Sequence, residues 1–254
     1  RTDIPVGKGM PEPMVRKSPK DPFTHGTDGQ AENHLPDPAT PLCGRHAVEL
    51  IIDTVKANPG EVYILCTGPM SNVAMAMKKA PEIKSMIAGI YAISGAFGLN
   101  RYAYANATGD TPQSEWNVYV DPEAADIVYN SGVKLVALGL DVATHFDVNL
   151  TDGDIHMLEQ SDKPEAKFFL QAIRFVNQRG FEAYCAVIDC MAVGYAIDPE
   201  LVTTITGRVG IETKDGLTLG MTVLDSRHHF VWETLPEVEI GESADYEGFL
   251  KLLM

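Results

Sequence analysis

The chain has 254 residues, of which 45% are hydrophobic and 22% are charged, as in an ordinary globular protein. This length allows one large domain with a sizeable core, and we predict a single domain over residues 1–254. With 35 acidic and 20 basic residues, the net charge is −15. That charge disfavours nucleic acid and anionic membranes as partners, since both attract positive charge. It suits a neutral small molecule, although acidity that only aids solubility explains it equally well.

Cysteine spacing and hydropathy disfavour two further classes of protein. The four cysteines, Cys43, Cys66, Cys185 and Cys190, form no C-x-x-C pair and match no common zinc spacing, so we expect buried reduced thiols. No run of 18 apolar residues is present, so we expect no membrane span. The chain opens with Arg1, which places any signal peptide outside it. We expect a cytoplasmic location.

Predicted helices and strands alternate along most of the chain. Repeated strand–helix–strand units indicate an α/β fold with a mostly parallel, Rossmann-like sheet flanked by helices. A small β-hairpin region is predicted near the C-terminus. The elements, in chain order, are loop 7–45, helix 45–56, strand 61–66, a helix capped by Ser71 or Asn72 and ending near Pro81, strand 90–94, a helix from Asp121 to Gly132, strand 133–141, helices 151–160, 164–180 and 190–197, a hairpin within 203–240, and helix 246–253.

The segment Glu115-Trp116-Asn117 places a carboxylate and a carboxamide two residues apart before a predicted helix. Side chains at this spacing in an extended segment point the same way. A carboxylate and an amide together suit the hydroxyl groups of a sugar. Ligands of parallel sheets bind at the carboxyl ends of the strands, where Thr67 also lies. The alternative is a network that only supports entry into the helix at Asp121.

Five motifs occur in the order found in nucleoside hydrolases, from about Asp3 to about Asp225. The chain therefore resembles that family, whose best-known members prefer inosine and uridine. The motifs are His25-Gly26-Thr27-Asp28-Gly29, Leu65-Cys66-Thr67-Gly68-Pro69-Met70-Ser71-Asn72-Val73-Ala74, Glu115-Trp116-Asn117 with the Val-Tyr-Val-Asp-Pro-Glu-Ala-Ala that follows it, Gly139-Leu140-Asp141-Val142, and Val187-Ile188-Asp189-Cys190-Met191-Ala192-Val193.

The resemblance implies calcium-dependent hydrolysis of the N-glycosidic bond of a ribonucleoside to ribose and free base. It also implies a homo-oligomer, either a dimer or a tetramer. The family pattern assigns calcium to the backbone carbonyl of Thr67 and to Asp189. In the same pattern Glu115, Asn117 and Asp189 bind ribose.

Further site residues follow from the same resemblance. Ile93 takes the place of a Met that contacts ribose, and Trp116 takes the place of a Phe that walls the sugar pocket. His25 matches a His on the base-binding side. The alternatives are a Thr67 that only shapes its turn, a Trp116 that only packs in the core, and an Asp189 that caps the helix at 190–197.

Ile188 departs from the pattern, because the best-known members carry there a His that protonates the departing base. Isoleucine cannot donate a proton, so the catalytic acid is left unknown. His228, His229 and Tyr184 are alternative donors. The departure favours, as a second hypothesis, a non-catalytic protein that binds nucleosides or sugars. A third hypothesis is a hydrolase of another N-riboside.

The Asp-x-Asp-x-x-x-Asp-Asp motif with which the family begins is absent from this sequence. Its carboxylates supply most calcium ligands and the base that activates water, so we expect the catalytic Asp upstream of Arg1. The size of two βα units suggests that roughly 60 residues precede Arg1. We therefore interpret the chain as N-terminally truncated, and expect residues 1–254 alone to be poorly stable and inactive.

Overall fold

A computed structural model describes residues 1–19 and 22–254 of the protein. In these residues six strands form one sheet with the spatial order β1-β2-β3-β6-β4-β5. The strands are β1 (Val62–Cys66), β2 (Ile87–Ile93), β3 (Leu135–Leu138), β4 (Val202–Ile211), β5 (Thr222–Asp225) and β6 (Glu237–Ala244).

The sheet is mostly parallel, which confirms the predicted fold class. Strands β1, β2, β3 and β6 run parallel to one another. Strand β4 pairs antiparallel with β6 on one side and with β5 on the other. The predicted hairpin is therefore formed by β4 and β5. Strand β6 lies between β3 and β4, so the last strand of the chain joins the hairpin to the parallel part of the sheet.

Helices cover both faces of the sheet, and most of them fall where the sequence predicts. The α-helices of the described residues are α1 (Pro22–His25), α2 (Ala47–Ala57), α3 (Ser71–Lys79), α4 (Tyr102–Ala105), α5 (Trp116–Val120), α6 (Pro122–Tyr129), α7 (Leu140–Ala143), α8 (Asp152–Gln160), α9 (Pro164–Gln178), α10 (Cys190–Ile197) and α11 (Tyr246–Leu253). Short 3-10 helices cover Pro81–Ser85, Phe146–Val148, Ala183–Ala186 and Pro199–Leu201.

Two local predictions are wrong. The strand expected over 133–141 ends at Leu138, and α7 begins at once after Gly139. Neither Ser71 nor Asn72 caps α3, whose N-cap residue is Met70 and has no side-chain cap. Ser71 instead donates to the buried carboxylate of Asp121, and Asn72 accepts from a backbone amide of the N-terminal segment. Long-range partners thus replace the local cap.

The hydrophobic core lies on the two faces of the sheet. One large cluster packs α2, α3 and α6 against the sheet, and a second packs α10 and α11 against the other face.

All four cysteines are free, but only Cys66 is buried, and burial raises the pKa of its thiol to about 12. The expectation of buried thiols is wrong for the exposed loop residue Cys43. No helix within residues 1–19 and 22–254 is both long and apolar enough to cross a bilayer.

Candidate active site

A cavity of about 470 Å³ lies at the carboxyl ends of β1, β2 and β3. Parallel sheets place ligands at this edge, because the loops that follow the strands converge there. All the site residues predicted from the sequence line it, although they come from five separate segments. They are His25, Thr67, Ile93, Glu115, Trp116, Asn117 and Asp189, together with Ile188.

Glu115 is buried and caps α5. Its carboxylate accepts hydrogen bonds from the backbone amides of Asn117, at 2.7 Å, and Val118, at 3.1 Å. A third bond, at 3.2 Å, comes from the amide of Gly95 beyond the end of β2. The expected extended segment is therefore wrong beyond Glu115, because Trp116 already begins a helix. Glu115 and Asn117 face one cavity through the geometry of a capped helix.

The protonation of Glu115 is set by opposing effects. Burial disfavours the charged form and raises the pKa of Glu115 to about 7, and the nearby carboxylate of Asp189 adds to the rise. The three backbone amides act in the opposite direction, because they stabilise the carboxylate. A buried carboxyl group that titrates near neutral pH is typical of a functional site.

Asn117 is fixed by its own side-chain amide. The Nδ2 group donates to the backbone carbonyl oxygen of Ile93, the last residue of β2, at 3.0 Å. This bond fixes which end of the amide points to the sheet and leaves the Oδ1 atom as an acceptor on the cavity side. Ile93 itself is buried, so it contributes a wall and the carbonyl that orients Asn117.

Asp189 occupies the N-cap position of α10, but its side chain makes no capping hydrogen bond. The alternative that this residue serves as a side-chain cap is therefore wrong. The carboxylate lies open to the cavity, yet the cavity wall partly desolvates it and raises its pKa to about 6. His25, on the opposite rim, acts against this rise. A carboxylate held in this way retains its acceptor sites for a ligand.

The oxygen atoms at this edge suit a calcium ion better than a softer metal. Thr67 follows β1 directly and lies exposed on the cavity wall. Carboxylate and carbonyl oxygens, as offered by Asp189 and Thr67, are typical calcium ligands. Among the described residues no group of three acidic, His or Cys ligands lies at this cavity. The one such group found, Asp28, Glu32 and His34, lies in a loop and is held by that loop's own hydrogen bonds.

The profile of the family described as "Inosine-uridine preferring nucleoside hydrolase" matches residues 1–251. The chain belongs to this family. The pyrimidine-specific ribonucleoside hydrolase RihA of Escherichia coli O127:H6 is 33% identical to it over 259 residues, which cover 100% of this chain and 79% of that protein. RihA of Salmonella paratyphi C is 34% identical over the same shares.

Two solved structures of nucleoside hydrolases resemble this nucleoside hydrolase closely in fold. The plant enzyme PpNRh1 superposes with a TM-score of 0.83 at 26% identity, over 99% of this chain and 79% of the plant chain. A purine-preferring ribonucleoside hydrolase from Gardnerella vaginalis gives a TM-score of 0.81 at 28% identity, over 98% and 78% of the two chains.

The cavity of this nucleoside hydrolase is lined by aromatic, apolar and hydroxyl-bearing side chains on different sides. Trp116 is half-buried and lies 6.2 Å from the ring of Tyr119, so it both packs and faces the cavity. Ile188 presents an apolar surface there. Of the three alternative proton donors, Tyr184 lines the cavity, whereas His228 and His229 are exposed and do not.

Several lining residues had no signal in the sequence. Phe23 and Phe181 meet edge to face, with ring centroids 5.7 Å apart, and close one side of the cavity. Thr108 accepts a hydrogen bond from the backbone amide of Trp116 at 2.8 Å. Asn106 also lines the cavity. These residues sit in loops without periodicity, and only the fold brings them to the site.

Proposed function

We propose that this nucleoside hydrolase binds the ribose of its substrate through Glu115, Asn117 and Asp189 and that a calcium ion assists hydrolysis. The reaction itself follows from family membership: a ribonucleoside is hydrolysed to ribose and free base. Water adds to the anomeric carbon, the carbon–nitrogen bond breaks, and its electron pair leaves with the base. Positive charge develops on the sugar during this step, as in glycoside hydrolysis.

Unused acceptor capacity at Glu115 and Asn117 carries the proposal. A carboxylate offers about four acceptor positions, and three backbone amides use three of those on Glu115. One remains for a ribose hydroxyl. Asn117 adds a free Oδ1 atom, since its amide nitrogen is held by Ile93. Carboxylates beside the sugar also stabilise the positive charge of the transition state, an electrostatic effect that is strong in a buried site.

Asp189 and the carbonyl of Thr67 would hold the calcium ion. When bound, the ion lowers the pKa of a water molecule and orients the sugar hydroxyls. Calcium takes six to eight oxygen ligands, so these two residues supply part of its shell. The Asp189 carboxylate makes no capping hydrogen bond to α10 and lines the cavity, which supports this role.

Tyr184 supports departure of the base in this proposal. Burial raises the pKa of its phenol far above the usual range, so the hydroxyl stays protonated at neutral pH. A protonated hydroxyl on the cavity wall can donate to a base nitrogen as the bond breaks. Tyr184 would thereby stabilise the departing base by a hydrogen bond, at a site where Ile188 offers no donor.

The proposal includes a cytoplasmic homo-oligomer, either a dimer or a tetramer, acting on small molecules. The net charge of −15 supports the absence of a nucleic acid partner. Light scattering coupled to size-exclusion chromatography measures the oligomeric state. A monomer at micromolar concentration would contradict that part of the proposal.

The direct test is turnover of uridine, cytidine, inosine and adenosine by the complete protein, with and without a calcium chelator. We expect ribose release that falls on chelation and returns with added calcium. A thermal shift with calcium gives a second readout. It should be large in the wild type, lost in Asp189→Asn, and kept in the exposed control Asp162→Asn. Turnover that resists chelation, with no calcium-dependent shift, would refute the metal role.

A further inference from the structure

The antiparallel hairpin reaches the active site through one buried hydroxyl. Thr222, the first residue of β5, is 1% exposed. Its Oγ1 atom accepts from the backbone amide of Ala96 at 3.0 Å and donates to the carbonyl of the same residue at 2.9 Å. Both backbone groups of Ala96 thus depend on a side chain 126 positions away.

Ala96 lies in the loop that fixes both proposed ribose binders. The preceding residue, Gly95, gives its amide to Glu115, and Ile93 gives its carbonyl to Asn117. A shift of Ala96 would therefore move the carboxylate and the carboxamide together. Backbone hydrogen bonds with the end of β3 hold the loop as far as Gly95: the amide of Ser94 donates to the carbonyl of Leu138 at 3.3 Å, and the carbonyl of Gly95 accepts from the amide of Leu140 at 2.9 Å.

The hairpin also contacts the segment that directly precedes Glu115. Ser114, which directly precedes it, forms an antiparallel bridge with Met221. Thr111 donates its hydroxyl to the carbonyl of Leu219 at 2.7 Å. Residues 219–222, which we call the hairpin brace, therefore contact the chain on both sides of the proposed ribose site.

A second side chain, that of Asp141, holds the far end of the same loop. The carboxylate of Asp141, buried at the start of α7, accepts from the amides of Phe97 at 2.9 Å and Leu99 at 2.7 Å. Beyond Gly95, the side chains of Thr222 and Asp141 thus hold the loop from Ala96 to Leu99. Such a loop keeps its shape only as long as its anchors are present.

We propose that Thr222 is a positioning residue for ribose recognition, acting through Ala96 on Glu115 and Asn117. The inference rests on the proposed function of those two residues. On this inference the antiparallel strands β4 and β5 contribute to catalysis. The hairpin brace, which belongs to them, positions binding residues that lie at the carboxyl ends of the parallel strands. The alternative is a buried hydroxyl that is satisfied by Ala96 and contributes only to folding.

The test compares Thr222→Val with Thr222→Ser in the complete protein. Valine keeps the shape and removes both hydrogen bonds, whereas serine keeps the hydroxyl. We expect kcat/KM for a ribonucleoside to fall on the order of 10- to 100-fold in Thr222→Val, since small misplacements of binding groups cost this much. Thr222→Ser should recover most of the loss. Thr206→Val makes the same change at an exposed position of β4 and should stay within about twofold of wild type.

Hydrogen exchange separates failure of this inference from failure of the proposed function. The amides of Gly95 and Ala96 should exchange faster in Thr222→Val than in the wild type, whether or not the chain turns over nucleosides. Should Thr222→Val not fold, Asp141→Asn replaces one of the two oxygen acceptors of Asp141 with an amide donor and is expected to lower kcat/KM in the same way. Unchanged kinetics and exchange in Thr222→Val, or equal losses in the valine and serine variants, would overturn the inference.

Discussion

The side-chain amide of Asn117 donates a hydrogen bond to the backbone carbonyl of Ile93 at 3.0 Å, joining α5 to the end of β2. This bond turns a flexible carboxamide into a fixed acceptor beside the cavity. It also makes ribose recognition depend on the exact end point of a central strand. The two residues are 24 positions apart, so no local pattern connects them.

Removing this amide should weaken substrate binding. In Asn117→Ala the ribose loses an acceptor and the carbonyl of Ile93 loses its donor, a loss of about 1–3 kcal/mol. We expect KM to rise about 10- to 100-fold with a smaller change in kcat, measured by steady-state ribose release. Asn58→Ala, at the exposed end of α2, serves as the control. An unchanged KM for Asn117→Ala would remove this residue from the site.

Glu115 should make the stability of the ligand-free protein depend on pH. Its pKa is about 7 in the folded state and about 4.3 when unfolded, so the folded state binds the extra proton between these values. The stability linked to Glu115 is therefore fully present below about pH 4 and is lost as pH rises through 7. The loss is about 3 kcal/mol.

Urea unfolding in chelator at pH 5 and pH 8 checks this sign. The fall in unfolding free energy between the two values should be smaller in Glu115→Gln than in the wild type, because glutamine does not titrate. Comparing the two proteins cancels the contribution of the other ionisable groups. Identical pH slopes in both would contradict the raised pKa.

Tyr184→Phe should slow the hydrolysis of nucleosides but spare a substrate whose leaving group needs no proton. We expect kcat for inosine or uridine to fall on the order of 10- to 100-fold, because a hydrogen bond to the charge that develops on the base contributes about 1.5–3 kcal/mol. Turnover of 4-nitrophenyl riboside should stay within about threefold, because nitrophenolate leaves as an anion. Tyr63→Phe, at an exposed tyrosine on β1, controls for loss of a phenol. Equal losses on both substrates would exclude a donor role.

The hairpin brace should respond to a single added methyl group. Gly220 has φ +76°, and a Cβ atom there would lie 2.8 Å from the Cα of Tyr119. Gly132 has the same φ but open space around it, so Gly132→Ala isolates the backbone strain of about 1 kcal/mol. Gly220→Ala should cost about 1–3 kcal/mol more by urea unfolding. Equal losses in the two variants would show that the contact with Tyr119 is relaxed.

The sequence determined the parts of this protein that depend on neighbours within a few positions. The helices α10 and α11 lie at their predicted bounds, because apolar spacing acts locally and the side chain of Asp245 caps α11. The parallel sheet followed from repeated strand–helix units, and the family followed from five motifs in order. The ribose and calcium roles of Glu115, Asn117, Asp189 and Thr67 stay predictions.

Only the tertiary structure decided how the site is held. Thr222 contacts Ala96 beyond the end of β2, although β3, β6 and β4 lie between β2 and the edge strand β5. Local rules left a side-chain cap open as an alternative for Asp189, yet its carboxylate faces the cavity. A hydrogen bond between residues more than 100 positions apart depends on strand order and packing. Strand order and packing are not encoded in a local pattern, since both arise from the burial of the whole core.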